Sequence, residues 1–229
     1  MKRTQIKARQ KTKPKLVIWG ASSHAMVVAD IVRLRGDYAL AGFLDDINPQ
    51  RRGTDFYGAP VLGGREQLAG LRRCGIRAVI VGIGHNAARL RLSALARAAG
   101  LELATAVHPN AMLSASANVG AGTVVKAGAV IDPGVSIGEN VIISSCVSIG
   151  HNCVLHDGVR TSLGVLVSGE GTVGRATWLA TGVVVIDRIR IGEYSLIGTG
   201  AVVLNDIPDR VVAYGIPAKV VRSALPDEY

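Results

Sequence analysis

Aromatic residues, cysteines and long apolar runs are all scarce in this chain of 229 residues. Only 4% of the residues are aromatic although 48% are hydrophobic, so aliphatic side chains must build the core. The three cysteines, Cys74, Cys146 and Cys153, have neither CxxC nor zinc-ligand spacing, which argues against a disulfide framework and favours a reducing cytoplasm. No run of about 18 apolar residues occurs, so we expect no membrane span.

Acidic residues are absent from the first 15 positions, which contain seven lysines and arginines. Of the chain's net charge of +9, this segment therefore supplies +7 and the remaining residues only +2. This segment also has no aromatic residue that could stack on a base. A basic run of this kind is typical of a solvated tail. We therefore expect residues 1–14 to be a disordered tail and no binding of nucleic acid.

Strand-like and helix-like segments alternate from Lys15 to about Val107. Leu16–Trp19, Tyr38–Leu44 and Ala78–Val81 read as buried strands, and each ends in a glycine- or aspartate-bearing turn. Met26–Arg35 and Asn86–Ala99 have helical apolar spacing and are followed by glycine. The alternation predicts a small Rossmann-like parallel sheet domain over residues 15–107.

Beyond residue 107 the apolar pattern has a period of six. Fifteen of sixteen positions at this spacing are aliphatic, and only Thr161 departs from the rule: Leu113, Val119, Val125, Ile131, Ile137, Ile143, Ile149, Leu155, Val167, Val173, Leu179, Val185, Ile191, Ile197 and Val203. Such a period is the mark of a hexapeptide β-helix, in which three hexads close one coil. It predicts a parallel β-helix over residues 108–222, with a C-terminal extension to 229.

The hexads, Gly215-Ile216-Pro217-Ala218-Lys219, the leading Gly20-Ala21-Ser22-Ser23-His24 and the Asp45-Asp46 pair together resemble one family. It is the sugar O-/N-acyltransferase family, which includes sialic-acid O-acetyltransferases and the bacillosamine-pathway N-acetyltransferase. The resemblance implies a left-handed β-helix and a cytoplasmic homotrimer. It also implies transfer of acetyl from acetyl-CoA to a nucleotide-activated amino sugar in bacterial glycan synthesis, or else O-acetylation of a sugar or sialic acid.

The same resemblance implies the catalytic and cofactor residues. His151 falls on the family's general base, and histidine titrates in the range that proton transfer near neutrality needs. Asn152 stands where the family usually has an acid, and it can orient the ring without stabilising its charge. The acetyl-CoA contacts fall on four further positions: Arg160, Thr181, Thr199 and Lys219.

The acceptor residues implied by the resemblance surround the first strand-to-helix turn, where backbone N–H groups attract phosphate. They are Ser22, Ser23, His24, Asp45, Asp46 and Gly84. On the motif alone, plain structural turns with solvated aspartates explain these residues about equally well. The sequence leaves open the sugar, the base and the choice between N- and O-acetylation.

Two other classes of protein stay open at this point. His151 and His156 have the spacing of γ-class carbonic anhydrases, which are zinc hydratases on a β-helix. The third histidine of such a site is missing, because the positions one and two coils earlier are Pro133 and Ala115. We therefore expect no metal. A non-catalytic β-helix protein is the remaining alternative.

Overall fold

The computed structural model describes residues 13–226 and 228, so nearly all of the expected basic tail, residues 1–14, lies outside the described residues. The first unit is a six-stranded sheet with the order β3-β4-β2-β1-β5-β6. Its strands are β1 (Lys15–Trp19), β2 (Ala39–Leu44), β3 (Asp55–Phe56), β4 (Ala59–Gly63), β5 (Ile76–Val81) and β6 (Glu102–Leu103). Its helices are α1 (Ser23–Arg35), α2 (Leu68–Leu71) and α3 (Asn86–Ala98), with single 3-10 turns at Pro49–Arg51, Arg65–Gln67 and Arg72–Cys74.

The predicted strands and helices of this unit are confirmed, with one correction. The first helix begins three residues earlier than predicted, at Ser23. It ends at Arg35 and is capped by Gly36, which adopts a left-handed φ of 69°. The sheet is parallel except at its edge, where β3 pairs with β4 in antiparallel orientation. This pair is a hairpin closed by a turn at Tyr57 and Gly58. An antiparallel pair needs no crossover helix, so the strand–helix alternation in the sequence does not reveal it.

The second unit is a triangular prism. Apart from the C-terminal pair β24 and β25, its strands have two residues each and pair in parallel with strands 18 residues away in the chain. Face I contains β7 (Ala106–Val107), β10 (Val124–Val125), β13 (Ile142–Ile143), β16 (Arg160–Thr161), β19 (Trp178–Leu179), β22 (Leu196–Ile197), β24 (Val211–Gly215) and β25 (Ala218–Ser223). Face II contains β8 (Met112–Leu113), β11 (Val130–Ile131), β14 (Ser148–Ile149), β17 (Leu166–Val167), β20 (Val184–Val185) and β23 (Val202–Val203). Face III contains β9 (Asn118–Val119), β12 (Ser136–Ile137), β15 (Val154–Leu155), β18 (Thr172–Val173) and β21 (Arg190–Ile191).

The hexad aliphatic residues point into the prism and stack in columns, as the period predicts. Thr161, the exception, also points inward and is fully buried. Its hydroxyl donates to the Ile142 carbonyl at 3.2 Å and accepts from the Ser144 amide at 3.2 Å. The polar atom is therefore satisfied in the core, which removes most of the cost of burying it. The prediction of an α/β unit followed by a left-handed β-helix is confirmed.

The α/β unit covers face I of the prism. Val124 and Ile142 point outward from that face and are nevertheless only 1% and 2% exposed. Arg89, on α3, reaches across and donates to the carbonyls of Asn140 and Gly158 at 2.7 and 2.8 Å. The edge between faces II and III is consequently the edge farthest from the α/β unit. Among the described residues, no helix has the length and apolarity needed to cross a membrane.

Candidate functional site

His151 lies in a turn at the edge between faces II and III. It follows β14, occupies the third place of its hexad and is exposed, as the period predicts. Its carbonyl accepts from the Glu170 amide at 2.8 Å, so the coil above holds its backbone in place. The imidazole is thus an accessible side chain on a rigid frame, which is the arrangement that a general base requires.

Asn152 contacts the His151 ring directly. The two side-chain atoms Nδ2 of Asn152 and Nδ1 of His151 are 3.4 Å apart. In this orientation the amide donates to Nδ1, which places the ring proton on Nε2. A 180° turn of the amide presents Oδ1 instead, so that Nδ1 carries the proton and Nε2 is free to accept one. Asn152 can therefore select the tautomer that serves as base, but it supplies no negative charge.

Gly169 provides the space that the His151 ring occupies. A Cβ at position 169 would lie 2.6 Å from Nε2 and 2.7 Å from Cε1 of that ring. Gly169 has an ordinary φ, so an alanine there would clash with the His151 ring without straining the backbone.

We expect Gly169→Ala to displace the imidazole and lower kcat by about 10–100-fold, because small misplacements of a catalytic group are costly. Thermal unfolding should barely change, since the ring is exposed and can move aside. Gly70→Ala, whose Cβ would meet only the end of the Arg73 side chain at an ordinary 3.9 Å, is the matched control and should keep full activity. Full activity in Gly169→Ala would show that the ring position seen here is not the catalytic one.

The predicted acceptor residues meet at the N-terminus of α1. Ser22 precedes the helix and its hydroxyl donates to the Gly82 carbonyl at 3.5 Å, while Ser23 and His24 form the first turn. Ser23, His24 and Gly84 line a cavity of about 230 Å³ between α1 and the prism. Burial, together with the charges of Lys126, Arg89 and Arg160, lowers the pKa of His24 to about 3, so this imidazole is neutral at physiological pH.

Arg160, predicted from the resemblance to contact acetyl-CoA, lies on face I and lines this same cavity. Its guanidinium donates to the Gly84 carbonyl at 3.4 Å and stacks on the Trp178 ring at 4.5 Å from the centroid. Arg160 is therefore grouped with the predicted acceptor residues. It is on a different part of the prism from Thr181 and Thr199, so its role as a cofactor residue stays a prediction.

Asp45 is engaged within its own loop. Its Oδ1 accepts from the amides of Ile47 and Asn48 at 3.0 and 3.1 Å. Its Oδ2 accepts from the side chains of Asn48 and Arg51, both at 3.2 Å. Burial raises the pKa of this carboxyl, but the bonds from Asn48, the Ile47 amide and Arg51 outweigh burial and hold the pKa below its usual range. A ligand contact at Asp45 would have to replace one of these four bonds.

Asp46 joins the end of β1 to the segment after β4. Its Oδ2 accepts from the Trp19 indole at 3.2 Å, and its Oδ1 accepts from the Arg65 amide at 2.6 Å. Asp46 also lines a second cavity, of about 270 Å³, which runs past Gly20 and Ser22 and is walled by Ile83. This cavity lies on the other side of the α1 N-terminus from the one that contains His24.

The remaining cofactor residues lie along the edge between faces I and II and at the C-terminal hairpin. Thr181 and Thr199 are exposed and lie in successive coils, joined by the bond from the Gly200 amide to the Thr181 carbonyl at 2.9 Å. Lys219 is exposed on β25. These positions form an open strip beside the cavity at Arg160, and their contact with a cofactor stays a prediction.

His151 and His156 do not converge. His156 lies at the edge between faces III and I, where it lines a separate cavity of about 630 Å³ together with Asp157 and Arg175. Within residues 13–226, no three histidine, cysteine or carboxylate side chains are placed so that they could hold a metal ion. The two histidines of this spacing therefore lie on different edges of the same prism.

Comparison with known proteins agrees with this architecture. Residues 15–94 match the PglD N-terminal domain. A perosamine N-acetyltransferase from Caulobacter crescentus, solved with CoA and GDP-perosamine, is 34% identical, with a TM-score of 0.86 over 90% of this chain and 96% of that one. The acetyltransferase domain of PglB from Neisseria gonorrhoeae FA1090, solved with acetyl coenzyme A, is 33% identical, with a TM-score of 0.85 over 91% of this chain and all of that one.

This chain belongs to the hexapeptide-repeat sugar acyltransferases. The curated relatives agree, although the match spans only about a quarter of their length. Galactoside O-acetyltransferase of Lactococcus lactis is 53% identical over 45 residues, which are 20% of this chain and 22% of that enzyme. The Escherichia coli galactoside O-acetyltransferase is 41% identical over 59 residues, or 29% of its length.

Three residues at the cavity lined by His24 and Arg160 were not singled out from the sequence. Lys126 and Ser144 line it from the prism, and the buried Arg89 donates to the Gly84 carbonyl at its rim at 2.9 Å. In the sequence, Lys126 occupies an outward position of a regular hexad, and Arg89 is one of several cations in an amphipathic helix. Neither residue stands out from its neighbours. Only the packing of the two units against each other gives these residues a common location.

Proposed function

We propose that this protein transfers an acetyl group from acetyl-CoA to the amino group of a nucleotide-linked sugar. The observation that carries the proposal is the combination of two features in one chain. One is a phosphate-attracting helix N-terminus with a cavity on each side of it. The other is an exposed histidine, His151, held by a neighbouring amide on a rigid β-helix. The perosamine and PglB relatives support it.

In the proposed reaction the acceptor nitrogen attacks the thioester carbonyl, forming a C–N bond while the C–S bond breaks. His151 takes the proton that the nitrogen loses and returns it to the departing CoA sulfur, so no further reactant is needed. The carbonyl oxygen becomes negative as the tetrahedral centre forms. Donors fixed beforehand around the cavity would stabilise that charge.

The positions of these residues favour an active site shared between subunits. The cavity lined by Ser23, His24 and Gly84, which we call the acceptor cavity, lies against face I, whereas His151 lies at the opposite edge of the same prism. One chain therefore cannot bring its own His151 to its own acceptor cavity. A second copy can, if its edge between faces II and III lies beside the first copy's edge between faces I and II.

Face II is the surface suited to that contact. Its outward residues and those of its flanking turns are apolar and exposed, and nothing in the described chain covers them: Met112, Leu163, Leu166, Ile186 and Leu204. Exposed apolar patches of this kind mark protein contacts. A head-to-tail contact forms a ring when its rotation closes, and we propose that three copies of this chain close in this way through face II.

The cytoplasm is the proposed compartment, because the three cysteines are free in the described residues.

An amino sugar is the acceptor that fits Asn152 best. A hydroxyl depends heavily on a strong base, whereas a neutral amine already has a nucleophilic lone pair and loses its proton only as the bond forms. We expect kcat/KM for an amino nucleotide sugar to exceed that for the matched hydroxy sugar by about tenfold or more. Parallel assays of the two acceptors with acetyl-CoA give the ratio.

Asn152→Asp is the matched control for this comparison. Its carboxylate would stabilise the protonated ring and should help the hydroxy acceptor more than the amino acceptor, so that the ratio falls. Sugar O-acetylation, which the galactoside relatives perform, is the second candidate function. A wild-type preference for the hydroxy sugar would establish it and reject N-acetylation.

A further inference from the structure

The cavity at the α1 N-terminus is cationic on its prism side. Lys126 and Arg160 line it, and no acidic residue does. Among the described residues no carboxylate lies within 4.0 Å of either cation. Asp30, which shares a neighbouring cavity with Lys126, instead accepts from the Tyr57 hydroxyl at 2.8 Å.

The two cations are also partly removed from water. Burial and the charge of Arg160 lower the pKa of Lys126, and burial lowers that of Arg160. Arg160 satisfies part of its guanidinium on the Gly84 carbonyl and the Trp178 ring, but the Lys126 ammonium has no such contact in the described chain. Two like charges in a shared cavity are unfavourable unless an anion occupies it.

His24 offers an independent sign that a ligand belongs in this cavity. Its Nε2 is the one buried side-chain nitrogen or oxygen in the described residues that has no hydrogen-bond partner. Leaving a buried polar atom unpaired is costly, and such atoms in native structures need an explanation. In the Nε2–H tautomer this atom donates a hydrogen bond to an anionic oxygen placed between the cations.

The order of the two cavities identifies which part of the acceptor meets the cations. The cavity of about 270 Å³ lies on one side of the α1 N-terminus and the cationic cavity of about 230 Å³ on the other. A diphosphate is attracted to the helix N-terminus between them. We place the base and ribose in the cavity that Asp45 and Asp46 line, and the sugar in the cavity that borders the prism. Lys126 and Arg160, on the prism side of the sugar, therefore face a substituent of the ring.

We propose that the acceptor sugar carries a carboxylate, and that Lys126, Arg160 and His24 bind it. The inference rests on the proposed function and deepens it, since it assigns the acceptor to the nucleotide-linked amino-uronic acids. The same contacts orient the ring, so that its amino group is presented towards the strip that holds Thr181 and Thr199 and towards the partner subunit's edge.

The test uses the full-length protein and two acceptors with the same nucleotide and amino group, one with a carboxylate on the ring and one with a methyl group there. We expect kcat/KM with acetyl-CoA to favour the carboxylate by about 10–100-fold, the range for hydrogen bonds to charged groups. Lys126→Met should reduce this ratio to near one, and Lys126→Arg should retain it. Arg73→Met, which removes an exposed cation outside the cavity, should leave the ratio unchanged.

Calorimetry with the same two acceptors and with the nucleoside diphosphate alone provides a readout that does not depend on turnover. The proposal expects Lys126→Met to weaken binding of the carboxylate acceptor selectively. Equal weakening of all three ligands would assign the cations to the diphosphate, and dissociation of the assembly would assign them to a partner subunit. Either result overturns the proposal. Equal turnover of both sugars overturns it but leaves the proposed function standing, whereas absence of binding by both overturns the two together.

Discussion

Replacing His151 with alanine is expected to lower kcat by about 10²–10⁴-fold, the usual contribution of a positioned general base. The exposed ring makes no contact that the prism needs, because its backbone is held by the Glu170 amide and the core of its coil is formed by Ile149 and Cys153. The KM for acetyl-CoA and the melting temperature should therefore change little. Steady-state kinetics on the purified variant, with both substrates varied, measures this.

His156→Ala is the matched control, because it removes an exposed histidine five residues away on a different edge. It should keep nearly full activity. If the two variants lost activity equally, the role assigned to His151 would have no support. If His151→Ala retained near-normal turnover, the proton would have to leave by another route, and the base would need to be sought elsewhere.

The fold was predictable from the sequence because its signal is repeated. A single hexad is weak evidence for a β-helix. Each inward position, such as Ile143 or Leu155, requires an aliphatic side chain again, so the period remains recognisable despite one exception. Thr161 shows why the exception is tolerated, since its hydroxyl is bonded to the backbone of the neighbouring coil. The antiparallel β3–β4 hairpin was missed because its two-residue strand is too short to show a pattern.

The candidate site was predictable only in part, for a physical reason. Ser23, His24 and Gly84 belong to local turns whose glycine and hydroxyl residues are visible in the sequence. Lys126 and Arg160 join them only through the packing of the α/β unit on face I, and no sequence pattern encodes a contact between units. Likewise, the four internal bonds of Asp45 show a loop-forming role that periodicity cannot reveal, while the ligand role that the resemblance implies for it stays a prediction.

The separation of the acceptor cavity from His151 also leads to a strong expectation about mixed assemblies. Gly84→Trp should fill the acceptor cavity, because a Cβ at position 84 would already lie 3.1 Å from the Arg160 guanidinium. The variant leaves His151 intact, whereas His151→Ala leaves the cavity intact. Each variant alone is expected to be nearly inactive.

Co-expression of the two variants with different tags, followed by purification on both tags, yields assemblies that contain both chains. In a shared site the cavity comes from a His151→Ala chain and the histidine from its Gly84→Trp neighbour. Every doubly purified cyclic trimer contains one or two copies of each variant, so one of its three sites combines an intact cavity with an intact His151. About a third of the wild-type sites is then restored, a rise far above the background of either variant. The same His151→Ala chain co-assembled with the wild-type chain should have about half of the wild-type sites active, and this value calibrates the activity expected per intact site.

A site contained within one chain gives a different result, since every chain in the mixed assembly carries one lesion and none can be active. Activity at background in doubly purified assemblies of normal size would therefore reject the shared site. Recovery near a third would mean that the apolar face II holds neighbouring subunits in the order that brings His151 of one to the cavity of the next. The exposed Leu163 and Leu166 on and beside that face would then be contacts on which catalysis depends.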